Sequence, residues 1–288
     1  FIIYLMVFGP FTLMSQINQN EQCGITDHDF TLFSRSIDHK ELHKVIEHID
    51  TSKNDIYYRI PVKFRIYRKS NGRGGISLKE VKESIMNLNY YHSVNKTGFR
   101  FYLHPEIEYV DNDRLYKLNY ISQAPFQSLK RRTKGSINVM VSEKLKWNKK
   151  NKVDRNYSGT YNTFAKVVIV TKGCSSSTLS HEIGHYLGLK HPHRFWNYKP
   201  KQEPVSRERM IRNSDTRMCE KTGDGLCDTP AEPNLSAFTD DKCKYTGWNV
   251  KDKYGEVYKP NTDNIMSYTK NRECRNKFTT EQIALMLY

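Results

Sequence analysis

Residues 181–191 read His181-Glu182-Ile183-Gly184-His185-Tyr186-Leu187-Gly188-Leu189-Lys190-His191. On a helix, His181 and His185 lie one above the other on a single face, so both imidazoles reach the same point outside it. Neutral imidazole binds zinc at about 2.0–2.1 Å, and a helix presents the pair already ordered. Glu182 then sits beside such a metal rather than on it, placed to take a proton from a water that the metal activates. His191 reaches the same ion only if the helix stops, and Gly188 can stop it by entering the left-handed region that glycine tolerates. Three histidines and a water form an open site, which is catalytic rather than structural. A lone histidine pair at this spacing is commonly only a hydrated helix face. The glutamate, the glycine and the third histidine at fixed offsets make that account a poor one here.

The elements that must hold this motif can be read from periodicity. Leu179, Ile183, Tyr186 and Leu187 form an apolar stripe facing away from the two helical histidines, and Ser175, Ser176, Ser177 and Thr178 supply an N-cap. Upstream, alternation from Ile60 to Tyr67 predicts a half-buried strand. Ser77 caps a helix to about Tyr91 with Leu78, Val81, Ile85 and Leu88 on one packed face. Residues 99–103, 107–110 and 137–141 read as strands, and 165–170 as a short apolar strand directly before the histidine helix. This order is that of an α/β domain, with no internal repeat.

The chain has 288 residues, of which 37% are hydrophobic and 12% aromatic, enough for a packed core. Its net charge of +15 raises nucleic acid as a partner. The basic residues are scattered, however, with only Lys130-Arg131-Arg132 and Lys149-Lys150 as clusters and no nucleic-acid motif beside them. A hydrated basic surface, with weak attraction to anionic surfaces, is the expectation.

Residues 1–15 open on an apolar run too short to span a bilayer and broken by Gly9-Pro10, which reads as a secretory signal whose start has been lost. No other stretch could serve as a membrane anchor, so a secreted, extracellular location is expected. Four of the six cysteines, Cys219, Cys227, Cys243 and Cys274, crowd together as disulfide candidates, and three pairings are open. Residues 16–55 are polar and charged, with a helical candidate over 39–49, and make a detachable pro-segment. Within it, Cys23-Gly24 has two readings. It is an ordinary thiol or disulfide partner, or its thiolate fills the zinc's open position and keeps the protein latent.

After His191 the composition shifts to loops. Residues 223–230, Gly-Asp-Gly-Leu-Cys-Asp-Thr-Pro, form a glycine-rich turn that is either an Asx-turn or a calcium site using Asp224 and Asp228. Asn264-Ile265-Met266-Ser267-Tyr268 follows, and then a terminal helix beginning at Thr279 or Thr280.

Taken together, these motifs carry a resemblance. Residues 181–191 resemble the extended zinc motif of the metzincin metallopeptidases, with Met266 as the methionine of the turn beneath the metal. Residues 223–230, 264–268 and 274–286 look like the pappalysin-type family of the secreted microbial kind. The match is specific over 173–288; upstream it rests on element order and on Cys23-Gly24, which is similar to a latency cysteine of the clan. The resemblance implies a twisted mixed sheet with the active-site helix as an upper subdomain, residues 56–188. It also implies an irregular, disulfide-stapled lower subdomain, residues 189–288, with extended peptide substrate in the cleft between. It implies His181, His185 and His191 as ligands of one zinc, Glu182 as general base and acid, and Tyr268 as a phenol near the metal. Gly188 and Met266 become the structural turn residues, and Asp224, Asp228 and Thr229 a calcium site, since some relatives bind calcium at such a turn. Pro192 departs from the acid or serine that other metzincin families place after the third histidine. The chain stops within its last helix, so a further C-terminal region is expected.

The expected function is hydrolysis of peptide bonds in proteins by a zinc endopeptidase. The rival is a non-catalytic secreted adhesion protein on the same fold, against which the intact Glu182 argues. Cleavage preference and oligomeric state are not written in the sequence.

Overall fold

The structure, a computed structural model, describes residues 22–23, 37–48, 58–119, 132–147, 155–193 and 203–288. The expected signal over 1–15 and most of the expected pro-segment lie outside these residues. Strand β1 (Gln22–Cys23) and helix α1 (His39–His48) come first. Then follow β2 (Tyr58–Arg68), α2 (Leu78–Val94), β3 (Phe99–Leu103), β4 (Glu108–Asp111), α3 (Asp113–Tyr116), β5 (Lys117–Asn119), β6 (Ile137–Ser142), β7 (Lys144–Trp147), β8 (Arg155–Asn162) and β9 (Val167–Thr171). The histidine helix is α4 (Thr178–Tyr186), and α5 (Thr280–Leu287) is the last element.

The strands form one mixed sheet in the order β3-β2-β6-β9-β8-β7-β5, with β4 also on β2 and β1 on β8. Strands β2, β6 and β9 pair in parallel, while β8 runs antiparallel to β9 and β7. Gly159 pairs with both Val170 and Cys23, and Tyr157 with both Leu145 and Gln22. Strands β9 and β7 therefore share one side of β8, and β1 lies along its other, outer edge.

Alternate residues of the parallel strands feed two cores, as expected of a sheet covered on both faces. Val62, Phe64, Ile66, Val139, Val141, Val168 and Val170 pack with Val81, Ile85 and Leu88 of α2 and with Leu179 and Ile183 of α4. Met140, Val167 and Ile169 point the other way, onto Tyr67, Leu115, Leu118 and Leu145. This coverage corrects the half-buried reading of β2. Its polar positions are buried too, because Lys63 and Arg65 run under the edge to Glu106 and Glu108, at 2.9 and 2.7 Å. Helix α2 starts at a capping box of Ser77 and Glu80 and runs on to Val94. Leu78 is 46% exposed, outside the packed face expected for it; Val81, Ile85, Leu88, Tyr91 and His92 form that face instead.

Between α4 and α5 the described residues form turns, short 3-10 helices and isolated bridges, held by the disulfides Cys219–Cys227 and Cys243–Cys274. Helix α1 lays Leu42 against Leu226 and Ala284, so this part of the expected pro-segment docks on α5. Among the described residues no helix is long and apolar enough to cross a membrane.

Candidate active site

Helix α4 is buried from Thr178 to His185. Ser177 occupies its N-cap but makes no capping bond, contrary to the expectation from the serine run. Its hydroxyl instead donates to the Arg272 carbonyl at 3.0 Å and accepts from Arg275 Nη2 at 2.9 Å. The helix start is thus tied to the segment around Cys274, a link no local pattern announces. At the other end Gly188 takes φ 102°, and the Leu189 N–H donates back to the Gly184 carbonyl at 2.9 Å.

That reversal brings His191 to the helical pair. The Nε2 atoms of His181, His185 and His191 lie 3.2, 2.9 and 3.3 Å apart. Ligands about 2.0–2.1 Å from one tetrahedral centre stand about 3.3 Å from each other, so the triad fits a zinc ion. Nδ1 of His181 is 2.7 Å from the Ile265 carbonyl and Nδ1 of His185 is 2.8 Å from the Leu189 carbonyl. A carbonyl only accepts, so both Nδ1 atoms carry the proton and both Nε2 lone pairs face inward. Burial, then the neighbouring histidines, lower His181 and His191 well below the ordinary value; burial lowers His185 to about 4. The rings are neutral, as metal ligands must be. Among the described residues this triad alone has metal-ligand spacing.

The turn below the histidines is organised by Asn264, whose Oδ1 accepts from the Met266 N–H at 2.8 Å. A Cβ on Gly184 would meet Met266 Sδ at 2.6 Å, so the methionine packs against the helix backbone. The Tyr268 ring lies 4.5 Å from that of His191 and 6.0 Å from that of His181. Glu182 packs against the sheet at Gly159 of β8, where a Cβ would come 2.7 Å from its Oε1. Arg272 reaches the Ser158 hydroxyl on the same strand.

The turn over 223–230 is an Asx-turn, with Asp224 Oδ1 accepting from the Leu226 N–H at 3.0 Å. Asp224 Oδ2 also accepts from Gln282 Nε2 at 3.2 Å, and Asp228 accepts from the Glu281 N–H at 2.8 Å. Thr229 Oγ1 stands 3.4 Å from that of Thr279. The Arg207 guanidinium, bonded to Glu203 and the Leu226 carbonyl, lies beside these carboxylates. Burial still pushes Asp224 up to about 6. Of Cys23 only the backbone is described, in register with Gly159.

Sequence reasoning missed Gly159, Gly184, Arg275, His193 and Glu232. Gly184 carried a signal, since a mid-helix glycine costs roughly 0.5–1 kcal/mol and needs a packing reason. The others matter through partners far away in the chain, which no local spacing reveals.

Similarity to known proteins agrees with this geometry. Residues 148–288 match the family Peptidase_M43, described as Pregnancy-associated plasma protein-A. Among solved structures the chain is similar to mirolysin in complex with a small compound. The two share 16% identity over 81% of this chain and 91% of that one, with a TM-score of 0.50, a likeness of fold. A metalloproteinase-II from Bacteroides fragilis matches at 15% identity over 52% of this chain and 51% of that one, with a TM-score of 0.26. No curated protein matches the chain. The extended histidine motif, its converging rings and the match over 148–288 lead to one conclusion: residues 148–288 form a region of the Peptidase_M43 kind, carrying the histidine triad of a zinc metallopeptidase.

Proposed function

We propose that this metallopeptidase is a secreted endopeptidase that cuts protein chains held as an added strand on the outer edge of β8, and that residues 16–55 keep it latent. The carrying observation is the placement of Glu182 against Gly159 of that edge, one residue from His181 in the metal-binding triad.

His181, His185 and His191 would hold a zinc ion, and the chemistry it would supply is that of a Lewis acid toward the scissile carbonyl and the attacking water. Glu182 takes the proton of the attacking water and returns it to the leaving amine. Tyr268 donates a hydrogen bond to the tetrahedral oxyanion, a role worth about 10²–10³ in rate for a well-placed donor. Gly188 and Met266 shape the turns around the ligands. Main-chain pairing along β8 makes recognition general and leaves specificity to side-chain pockets.

Latency through Cys23 is supported by the register of β1, which sets Cys23 beside Gly159 and so beside the strand that backs Glu182. Secretion is supported by the two disulfides, which persist in oxidising compartments. A calcium ion on Asp224, Asp228 and Thr229 is supported by the raised Asp224 carboxyl, for which a cation would be a favourable neighbour, with Arg207 as the competing cation.

The test is cleavage of a mixed peptide library by the purified chain, with and without residues 16–55, before and after a zinc chelator. Cleavage should appear on removal of the segment, stop with the chelator and return with added zinc. Equal cleavage by the metal-free protein would refute the assignment.

A further inference from the structure

Glu232 is 3% exposed and lies two residues beyond the 223–230 turn, outside the histidine motif, that turn and the methionine turn alike. One of its oxygens, Oε2, accepts from the Ser267 hydroxyl at 2.8 Å. The other, Oε1, faces Nδ1 of His193 at 3.6 Å, and neither of those two atoms has a hydrogen-bond partner. Ser267 is the residue before Tyr268. The His193 ring stacks on His191 at 4.9 Å and leans on the Tyr268 ring at 4.5 Å. One carboxyl therefore bonds the residue before the phenol on one side and stands beside its ring neighbour on the other.

We propose that Glu232 is the positioning residue of Tyr268, holding the phenol in place through Ser267 and His193. The inference rests on the reading that Tyr268 serves the oxyanion. A tyrosine on a turn has two free torsions, and a misplacement of about 1 Å in a catalytic group can cost about 10² in rate. Fixing Ser267 anchors the chain from which the side chain grows, and the carboxyl packs beside the His193 ring that leans on the phenol. Burial raises the Glu232 carboxyl well above the ordinary value, and the hydrogen bond from the Ser267 hydroxyl opposes that shift. A glutamine has the same shape, the same acceptor and a donor on the other arm. A leucine fills the space and offers neither.

The experiment compares Glu232→Gln, Glu232→Leu and Ser267→Ala, each alone and combined with Tyr268→Phe, in the zinc-loaded protein freed of residues 16–55. It reads kcat, KM, zinc content and thermal midpoint. The expected result is that Glu232→Leu lowers kcat at least about 10-fold with KM and zinc little changed, while Glu232→Gln keeps most of the rate. In the Tyr268→Phe background neither Glu232→Leu nor Ser267→Ala should slow the enzyme further, because the group they position is gone. Additive losses in that background, or a Glu232→Gln variant as slow as Glu232→Leu, would overturn the proposal. If Glu232→Leu does not fold, Ser267→Ala decides by the same comparison. A Tyr268→Phe enzyme at full rate would overturn the oxyanion reading and this inference together, whereas a slow Tyr268→Phe enzyme with additive Glu232→Leu losses overturns this inference alone.

Discussion

Met266 lies under the histidine helix so closely that its sulfur is 2.6 Å from where a Cβ on Gly184 would stand. The glycine is therefore the condition for the turn to reach the helix. Gly184→Ala gains about 0.5–1 kcal/mol of helix propensity and loses about 1–3 kcal/mol to crowding in a closed core. The expected outcome is a lower melting temperature and weaker zinc retention, checked by calorimetry and metal analysis. A variant that melts higher than the parent with full zinc would sink this account.

The same construction operates at Gly159, whose missing side chain leaves room for Glu182. Glu182→Gln should retain zinc and lose at least about 10²-fold in kcat, the usual range for a general base. Gly159→Ala should push the carboxylate out of place and reproduce much of that loss, with zinc content unchanged. Normal turnover in Gly159→Ala would show that Glu182 does its work elsewhere.

His92 predicts an acid sensitivity remote from the metal. Its ring is sealed among Phe99, Phe101 and Phe278, its Nδ1 bonds Thr97 Oγ1 at 2.9 Å, and burial lowers its pKa to about 3. The folded value lies below the ordinary value of 6.5, so between the two the unfolded chain binds more protons. This share of stability is present above about pH 6.5 and drains as pH falls toward 3. His92→Phe should flatten the decline, by on the order of 1–2 kcal/mol between pH 6.5 and 5. Urea midpoints at the two pH values measure it; an unchanged slope would exclude His92 as the source.

Calcium and Arg207 make opposite demands on the turn over 223–230. If an ion binds Asp224, Asp228 and Thr229, millimolar calcium should raise the melting temperature, because a ligand at about 100 times its Kd stabilises by about 2.7 kcal/mol. A melting temperature indifferent to both calcium and a calcium chelator would assign the cation's role to the Arg207 guanidinium.

Much of the catalytic motif was legible in the sequence because its geometry is local. The rise of a helix alone aligns His181 with His185, and the freedom of one glycine alone lets the chain double back to His191, where Gly188 adopts φ 102°. The α/β order was legible for a like reason, since strands β2, β6 and β9 and helix α2 each bury a face set by their own periodicity. Local pattern failed where coverage came from elsewhere. The alternation in β2 looked half-buried because nothing nearby in the chain announces that Glu106 and Glu108 will receive Lys63 and Arg65. Ser177 looked like a cap because its competing partners, Arg272 and Arg275, are about a hundred residues away.

What the sequence determined by itself is which groups could meet a metal, since backbone geometry over eleven residues suffices for that. Tertiary structure decided the disulfide pairing, Cys219 with Cys227 and Cys243 with Cys274, among three that composition allowed equally. It also decided that Glu182 packs against Gly159 of β8 and that the distant Ile265 carbonyl stands at His181 Nδ1. The physical reason is that helix rise and glycine freedom act between neighbours in the chain. Packing, by contrast, joins residues whose separation along the chain carries no trace of their contact.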